Sequence, residues 1–239
     1  MQIEILYEDA DLVIVNKPAG VLVIPDRFDS TLPSMDKLVA AKIKHPIWIV
    51  HRIDRDTSGA LCFAKNEAAH KYLSGLFQDR HMNKYYVGLV NGRVVPEEGT
   101  IDKPIIEHPV IKGKMITAKK GKASVTDYKV LEQWPLYSLV EFRLHTGRTH
   151  QIRVHMQSIG NSLVGDELYG DGVPFFLSSI KRKYNLSDKK ETEKPLLSRL
   201  ALHAYRLEFT KEDGTEIKVQ APLPKDIAAC VNQLNKWSK

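Results

Sequence analysis

The sequence predicts a fold of the α+β class, with strands in the majority and helices scattered between them. Short apolar runs, several with clean alternation of apolar and polar residues, recur along the chain and are typical of strands. Amphipathic segments of helical period separate some of these runs, without the regular strand, helix, strand alternation that builds a parallel sheet. Because no repeat and no linker interrupts the pattern, residues 1–239 are predicted to form a single domain.

Composition narrows the class of protein. The 239 residues are 43% hydrophobic and carry a formal net charge of +6, which favours a polyanionic partner because summed positive charge concentrates phosphates nearby. Cys62 and Cys230 lie in apolar contexts far apart in the sequence, and are predicted to be buried thiols rather than a disulfide. No apolar run reaches the roughly 18 to 20 residues of a membrane span, and no secretion leader is evident. These features predict a cytoplasmic protein without membrane contact.

The first half of the chain is predicted to contain a hairpin, two helices and three further strands. In order, these elements cover residues 3–7, 12–15, 32–44, 47–50, 60–65, 67–80 and 84–90. His45 and Pro46 stop the first helix, because the residue before a proline is pushed away from helical backbone angles. The side chain of Asn66 can cap the second helix. The loop at residues 16–20, shaped by a proline and a glycine, is either a plain turn or a support for the charged loop described below.

The second half begins with a lysine-rich segment between Pro96 and Lys122, predicted to form hairpins and loops. Its lysines are Lys103, Lys112, Lys114, Lys119, Lys120 and Lys122. They either contact a phosphate backbone or are simply solvated. The later elements are strands at 125–131 and 137–144, a helix at 149–159, a hairpin at 205–210 and 216–220, and a helix at 226–237. Residues 171–195 are predicted to be an inserted, mobile loop.

The nine residues 51–59, with the sequence HRIDRDTSG, form a charged loop between two predicted apolar strands. A surface turn is usually built from glycine, asparagine, aspartate or proline, and ordering many long charged side chains instead costs conformational entropy. The arrangement therefore indicates a functional site. Asp54 has arginines on both sides in the sequence, and nearby cations favour an ionised carboxylate, which acts as a nucleophile or an electrostatic stabiliser. Thr57 and Ser58 are predicted to shape the loop by bonding to nearby backbone.

This loop and five further segments resemble the RluA-type pseudouridine synthases, a family of RNA-modifying enzymes. Residues 51–54 with 57–59 resemble the HRLDxxTSG signature of that family, with Ile53 in place of the usual leucine. The other segments follow in the family's order, at residues 16–20, 84–87, 147–155, 164–170 and 202–204. The resemblance spans nearly the whole chain. It implies a mixed, largely antiparallel and bent sheet with flanking helices and loops, and an active cleft across that sheet.

The resemblance also implies a reaction and its catalytic residues. These enzymes convert uridine to pseudouridine, and Asp54 matches the carboxylate that carries the reaction. Arg153 resembles the arginine that pairs with this carboxylate and keeps it ionised. Tyr86 resembles the active-site tyrosine, which is suited to stack on the uracil and to take part in deprotonation of its C5 atom; if the alignment shifts by one residue, Tyr85 takes this role. The route of Asp54, by attack at C1′ or C6 or by abstraction of a ribose proton, stays open.

Four further residues are predicted to bind the substrate. Arg52 resembles the side chain that fills the space left when the target uridine swings out of the RNA stack. Arg148 and His150 belong to the segment that carries the matched arginine, and His150 shares a helix face with it. His51 either contacts the substrate or supports the loop through a hydrogen bond.

Structured RNA is the predicted partner, in the form of a stem-loop of ribosomal or transfer RNA that is recognised by its shape and its splayed bases. The resemblance implies a reaction without cofactor or metal, carried out by a monomer. Some members of the family carry an N-terminal S4 RNA-binding domain, whereas this sequence begins directly in the catalytic region. This favours an enzyme that acts alone on a small stem-loop, with the modified positions left open.

Three alternatives compete with this interpretation. A zinc hydrolase would use His145, His150 and His155, but their spacing is not that of a helical metal pair and no cysteine ligand accompanies them. A glycoside hydrolase needs two carboxylates that flank a sugar bond, and Asp54 and Asp56 are expected to diverge on one loop. A non-catalytic RNA-binding or ribosome-assembly factor on the same fold is the serious alternative, although all three residues with implied catalytic roles are present.

Overall fold

Strands dominate the structure, a computed structural model that describes residues 3–29, 31–181, 184 and 192–238. In chain order the elements are β1 (Glu4–Glu8), β2 (Leu12–Lys17), α1 (Met35–Ile43), β3 (Trp48–Ile49), β4 (Ser58–Ala64), α2 (Glu67–Gln78), β5 (Asn83–Asn91), β6 (Glu98–Asp102), β7 (Ile105–Glu107), β8 (Met115–Thr117), β9 (Val125–Gln133), β10 (Tyr137–Leu144), α3 (Gln151–Ser158), a short 3-10 helix (Leu177–Ser179), β11 (Leu202–Thr210), β12 (Glu216–Gln220) and α4 (Lys225–Trp237). They pack into two compact units. The first unit is Met1–Tyr86 with His203–Pro222, and the second unit is Val87–Leu202 with Leu223–Lys239.

The first unit is built on a sheet centred on β4. Strand β2 lies between β1 and β4 and is antiparallel to both, whereas β11 runs parallel to β4 through His203 and Ala204. Strand β3 also pairs with β4, and β12 forms an antiparallel hairpin with β11. The pairing is therefore mixed and largely antiparallel, and the α+β prediction is confirmed.

Helices cover both faces of this sheet, which explains the unbroken apolar character of β4. On one face, Leu73 of α2 packs in a cluster with Cys62. On the other face, Met35 of α1 packs in a cluster with Phe63. Because successive side chains of a strand point to opposite faces, every residue of β4 is buried. The charged loop thus leads directly into the most deeply buried strand of the unit.

The second unit contains a sheet and a separate hairpin. The part of β5 from Val87 onward is followed in the sheet by β10, β9 and β6, and the pairs β10 with β9 and β9 with β6 are antiparallel. Strands β7 and β8 form a hairpin whose Ile105 and Met115 pack in one apolar cluster with Val154 of α3 and with Tyr169. Helix α4 buries the apolar side that the sequence predicts, formed by Ile227, Cys230, Val231 and Leu234.

The helices and most strands match the predicted elements with small shifts at their ends, but the end of the charged loop differs. Ser58 and Gly59, predicted to end the charged loop, lie in β4. Gly59 has a φ of +113°, and a Cβ atom there would lie 2.2 Å from the carbonyl oxygen of Ala204. This position accepts only glycine because the backbone of β11 approaches it closely. The charged loop is therefore two residues shorter than predicted, because Gly59 takes part in a close contact between strands.

Two other predicted features have different outcomes. Cys62 and Cys230 are buried free thiols, as predicted, and burial raises the pKa of Cys230 to about 12. Of the predicted mobile loop, residues 182–183 and 185–191 lie outside the described residues. Within its described part, Phe175 is buried and its amide donates a hydrogen bond to the carbonyl of Leu197. The mobility of this loop and the single domain stay predictions.

Within the part of the chain that the structure describes, no helix combines the length and the apolar character that crossing a membrane demands.

Candidate active site

The loop at residues 16–20 holds the charged loop in place. The ammonium group of Lys17, a fully buried residue, donates hydrogen bonds to the carbonyl oxygens of Pro18 at 2.9 Å, Val21 at 2.6 Å and Arg55 at 2.7 Å. The amide of Gly20 also donates to the carbonyl of Arg55 at 2.9 Å, and Arg55 Nε donates back to the carbonyl of Gly20 at 3.1 Å. These reciprocal bonds favour the support role for this loop over a plain turn.

Asp54 and Tyr86 are neighbours in the first unit. Asp54 is half-buried in the charged loop. Tyr86, also half-buried, packs in an apolar cluster with Ile53 and Ala204. Burial raises the pKa of Tyr86 above its ordinary value, and the negative charge of Asp54 raises it further. The site therefore presents a carboxylate and, next to it, a phenol that stays neutral at physiological pH.

Residues next to these two in the sequence are placed differently. The ring of Tyr85 lies under the guanidinium of Arg206, with 4.0 Å between the guanidinium carbon and the ring centroid. Arg52 and Asp56 are exposed. The negative charge of Asp54 thus acts on the phenol of Tyr86, while the ring of Tyr85 has the guanidinium of Arg206 on its face.

His51 faces the sheet. Its Nε2 atom accepts a hydrogen bond from the amide of Cys62 at 3.0 Å, and its ring stacks on Phe77 with 4.2 Å between centroids. Burial and the positive charge of Lys84 lower the pKa of His51 to about 3. A neutral imidazole that accepts at Nε2 carries its proton on Nδ1. These contacts favour the loop-support interpretation of His51.

Ser58 is hydrogen-bonded to His203, a residue of the matched segment 202–204 to which the sequence assigned no role. Its Oγ atom is hydrogen-bonded to Nδ1 of His203 at 2.9 Å, and both residues are buried. The bond reinforces the parallel pairing of β4 with β11, where His203 lies opposite Ser58. Ser58 therefore fixes the end of the charged loop through a strand contact rather than a local turn.

Arg153 lies in the second unit, on α3, with a carboxylate and an aromatic ring around its guanidinium. Its Nε and Nη2 atoms donate to the two carboxylate oxygens of Asp166, each at 2.8 Å. Its guanidinium carbon lies 4.9 Å from the ring centroid of Tyr169. Sequence reasoning gave neither Asp166 nor Tyr169 a role, although both belong to the matched segment 164–170.

The other two predicted substrate residues of the second unit flank the start of α3. His150 has a left-handed backbone with φ of 55°, and its Nδ1 atom is hydrogen-bonded to the hydroxyl of Tyr169 at 2.9 Å. Arg148 donates through its Nε to the carbonyl of Ala123, and through its amide to the side chain of Gln151. The helix begins at Gln151, two residues later than predicted, because His150 leaves the helical backbone region.

Lysines are concentrated on and beside the β7–β8 hairpin. Lys112, Lys119, Lys120 and Lys122 are exposed and Lys114 is half-buried. Lys103, predicted with them, instead donates to the carbonyl of Ser158 at 3.0 Å. The connection between β7 and β8 also exposes Val110 and Ile111, by 85% and 45%. The hairpin thus presents an apolar tip beside several exposed positive charges, a surface suited to nucleic acid.

The three histidines of the zinc alternative have three different partners. His145 is paired with Asp127, His150 with Tyr169, and Nδ1 of buried His155 with Oγ1 of Thr126. In the described ranges, no group of three or more histidine, cysteine, aspartate or glutamate side chains is arranged to hold a metal ion.

Comparison with known families identifies the class of protein. A family model described as RNA pseudouridylate synthase matches residues 11–158, which is more than half of the chain and includes Asp54, Tyr86 and Arg153. The chain belongs to this family, and the resemblance to RluA-type pseudouridine synthases is confirmed.

The chain is also similar to curated relatives of this family. It is 36% identical over 247 residues to the uncharacterized RNA pseudouridine synthase YlyB of Bacillus subtilis, covering 99% of this chain and 74% of the relative. It is 39% identical over 235 residues to the ribosomal large subunit pseudouridine synthase D of Neisseria meningitidis, and the match covers 95% of this chain and 60% of the relative. With an uncharacterized RNA pseudouridine synthase of Aquifex aeolicus it shares 39% over 155 residues, or 61% of this chain and 49% of the relative. The chain thus spans about half of some relatives and three quarters of others.

Solved structures agree with this assignment. The human RNA pseudouridylate synthase domain containing 1 has a TM-score of 0.73 and 28% identity, with 99% of this chain and 88% of that chain covered. The human RNA pseudouridylate synthase domain containing 4 has a TM-score of 0.72 and 25% identity, with 97% of this chain and 93% of that chain covered. The predicted pseudouridine synthase fold is confirmed.

Proposed function

We propose that this protein isomerises specific uridines of structured RNA to pseudouridine. The observation that carries the proposal is the Asp54 carboxylate next to the neutral phenol of Tyr86, on segments that the family model covers. In the reaction, the bond from N1 of uracil to C1′ breaks and a bond from C5 to C1′ forms. The proton leaves C5 and N1 gains one, so no atom or electron is gained or lost overall.

The catalytic roles follow from charge and protonation state. Asp54 supplies the anionic carboxylate that acts near the ribose and the base, by one of the three routes named above. Tyr86 stacks on the uracil ring. Because burial and Asp54 both disfavour its phenolate, we expect Tyr86 to work as a neutral phenol, through stacking and hydrogen bonding, rather than as a strong base. Arg153 completes the set as a guanidinium already fixed by Asp166.

Substrate binding requires that the target uridine leave its stack, at a cost of a few kcal/mol. The exposed side chain of Arg52 is free to extend toward RNA and fills the vacated space in this proposal. Arg148 and His150 contribute further contacts with the RNA. For His51, the bond to Cys62 and the stacking on Phe77 support a structural role in place of substrate contact.

Ribosomal RNA is the first substrate to test, and transfer RNA the second. One relative is named for the large ribosomal subunit, and the exposed lysines of the β7–β8 hairpin fit a phosphate backbone. The proposal includes a monomer that acts in the cytoplasm.

Tritium release measures the proposed reaction directly. RNA made with uridine tritiated at C5 loses its label when C5 bonds to C1′. We expect wild-type protein to release tritium, Asp54→Asn to be slower by about a thousandfold or more, and Tyr86→Phe by roughly a hundredfold. RNA binding by both variants should stay within about twofold of wild type, because neither change removes a phosphate contact. Asp56→Asn, at an exposed carboxylate two residues away, is the matched control and should retain full activity.

Equal release by Asp54→Asn and wild type would refute the role of this carboxylate. Binding of RNA without release from either ribosomal or transfer RNA would favour the non-catalytic RNA-binding factor instead.

A further inference from the structure

We infer that Asp166 and Tyr169 are positioning residues for Arg153. Asp166 holds the edge of the Arg153 guanidinium, and Tyr169 covers its face. The inference deepens the proposed function and rests on it, because it needs Arg153 to act in the reaction. Neither residue has to touch the substrate for this role.

The edge of the guanidinium is fixed by a carboxylate that cannot turn. Asp166 is 1% exposed. Its Oδ1 atom accepts hydrogen bonds from the amides of Leu168 and Tyr169, both at 3.0 Å, as well as one bond of the fork from Arg153. The preceding Gly165 has φ of +69°, and a Cβ there would lie 2.3 Å from the carbonyl oxygen of Arg199. The backbone that presents Asp166 is thus held by a close contact that only glycine allows, and the bidentate pair has one geometry.

The face of the guanidinium is covered by a ring that cannot turn either. Tyr169 is 2% exposed, and its hydroxyl accepts a hydrogen bond from the amide of Met115 on β8 at 2.8 Å. The same hydroxyl is hydrogen-bonded to His150 Nδ1, just before α3, at 2.9 Å. The ring therefore spans from the hairpin to the start of the helix that carries Arg153, and its centroid lies within cation–π range of the guanidinium.

Holding the guanidinium on two sides removes rotamer freedom before substrate binds, which favours the rate of the chemical step rather than RNA affinity. Residues that act through Arg153 lose their effect when Arg153 is changed, whereas residues with a general structural role do not. This difference makes the inference testable.

Tyr169→Phe keeps the ring and removes the hydroxyl, while the apolar cluster with Ile105 and Val154 keeps the hairpin packed. We expect kcat for tritium release to fall roughly three- to tenfold, as for the loss of one or two hydrogen bonds, with KM for RNA within twofold of wild type. In the Arg153→Lys background, the same change should lower kcat no further, because lysine has no planar guanidinium for the ring of Tyr169 to hold. Tyr72→Phe, which removes a hydroxyl that donates to the Thr210 carbonyl, is the control and should have wild-type kcat.

Thermal unfolding of each variant separates loss of fold from loss of positioning. A wild-type kcat in Tyr169→Phe would overturn the inference, and so would an equal fall in kcat in both backgrounds. If Arg153→Lys has no measurable turnover, the kinetic constants of Tyr169→Phe alone decide. A lowered kcat with unchanged KM supports positioning, and a raised KM with unchanged kcat overturns it. Absence of release by wild-type protein would instead count against the proposed function, so the two failures are distinguishable.

Discussion

Single residues of the charged loop divide between a proposed catalytic role and structural support, and residue type alone does not tell the two apart. Asp54 is the neighbour of Tyr86. His51, three positions earlier, is turned toward the sheet, where it accepts a hydrogen bond from the amide of Cys62 and stacks on the ring of Phe77. An imidazole suits both substrate contact and support. Only the tertiary contacts favour one of the two interpretations that the sequence leaves open.

The half-buried His51 should make the stability of the protein depend on pH. Its pKa is about 3 in the folded protein and about 6.5 in an unfolded chain. Between these values the unfolded state binds more protons, so the free energy of unfolding rises with pH and this contribution is complete above pH 6.5. For wild type we expect a loss of about 2 to 3 kcal/mol from this residue between pH 7 and pH 4.5. Urea unfolding at both pH values should show a smaller loss in His51→Gln, whose amide can accept the Cys62 bond without titrating.

His45→Gln, at an exposed histidine, is the control for this measurement and should keep the wild-type pH dependence. An equal loss of stability at pH 4.5 in His51→Gln and wild type would contradict this role of His51.

At the scale of elements, the central feature is that two loops and one strand form a single assembly. Lys17 ends β2, opposite Gly59 of β4, and its ammonium bonds tie its own loop to Arg55 of the charged loop. Ser58 ties the same strand to His203 of β11. The position of Asp54 is therefore set by buried contacts on both sides of the loop.

Lys17→Met should damage both stability and turnover. The substitution removes the Lys17 donor from the carbonyl oxygens of Pro18 and Val21 and leaves that of Arg55 with the amide of Gly20, at a cost of about 3 kcal/mol or more. Because the charged loop loses its support, tritium release should fall as well, even at temperatures where the variant is folded. Lys71→Met, at an exposed lysine of α2, should match wild type in urea unfolding and in release. Equal stability of the two variants would contradict the role of Lys17.

Periodic elements could be predicted from the sequence, and long-range contacts could not. Strand β10 spans the predicted residues, and Asn66 caps α2 through its side chain as expected, because both features depend on neighbouring residues. Lysine is usually exposed, so the sequence did not predict that Lys17 would be fully buried. Its role follows only from its hydrogen bonds to three carbonyl oxygens in the folded protein. The bond of Ser58 with His203 joins residues 145 positions apart. No local pattern can show such a pair.

The β7–β8 hairpin should contribute to RNA binding through charge. Each lysine that neutralises a phosphate adds roughly 0.7 to 0.9 to the slope of log affinity against log salt concentration. The double variant Lys112→Ala, Lys120→Ala should therefore lower this slope by about 1.5 and weaken binding at low salt. Lys37→Ala, Lys71→Ala removes two exposed lysines of α1 and α2 and serves as the control of equal charge. An identical slope for the two double variants would show that these hairpin lysines are simply solvated.

At the scale of the whole molecule, the family assignment and the motif order support each other. The family model covers the segments that carry Asp54, Tyr86 and Arg153, which lie far apart in the sequence and on different elements. The sequence could predict this set through resemblance, because each residue has a recognisable local motif. It could not predict the RNA target, since structured RNA is recognised through its shape and its splayed bases, which follow no linear code.

Pseudouridine mapping tests the central claim most directly. Total RNA from cells with and without this protein is treated with carbodiimide, and modified positions are read as stops of reverse transcription. We expect one or a few stops, in ribosomal or transfer RNA, to vanish without the protein and to return with wild-type protein or Asp56→Asn, but not with Asp54→Asn. An unchanged set of stops in both RNA classes, or full restoration by Asp54→Asn, would contradict the account.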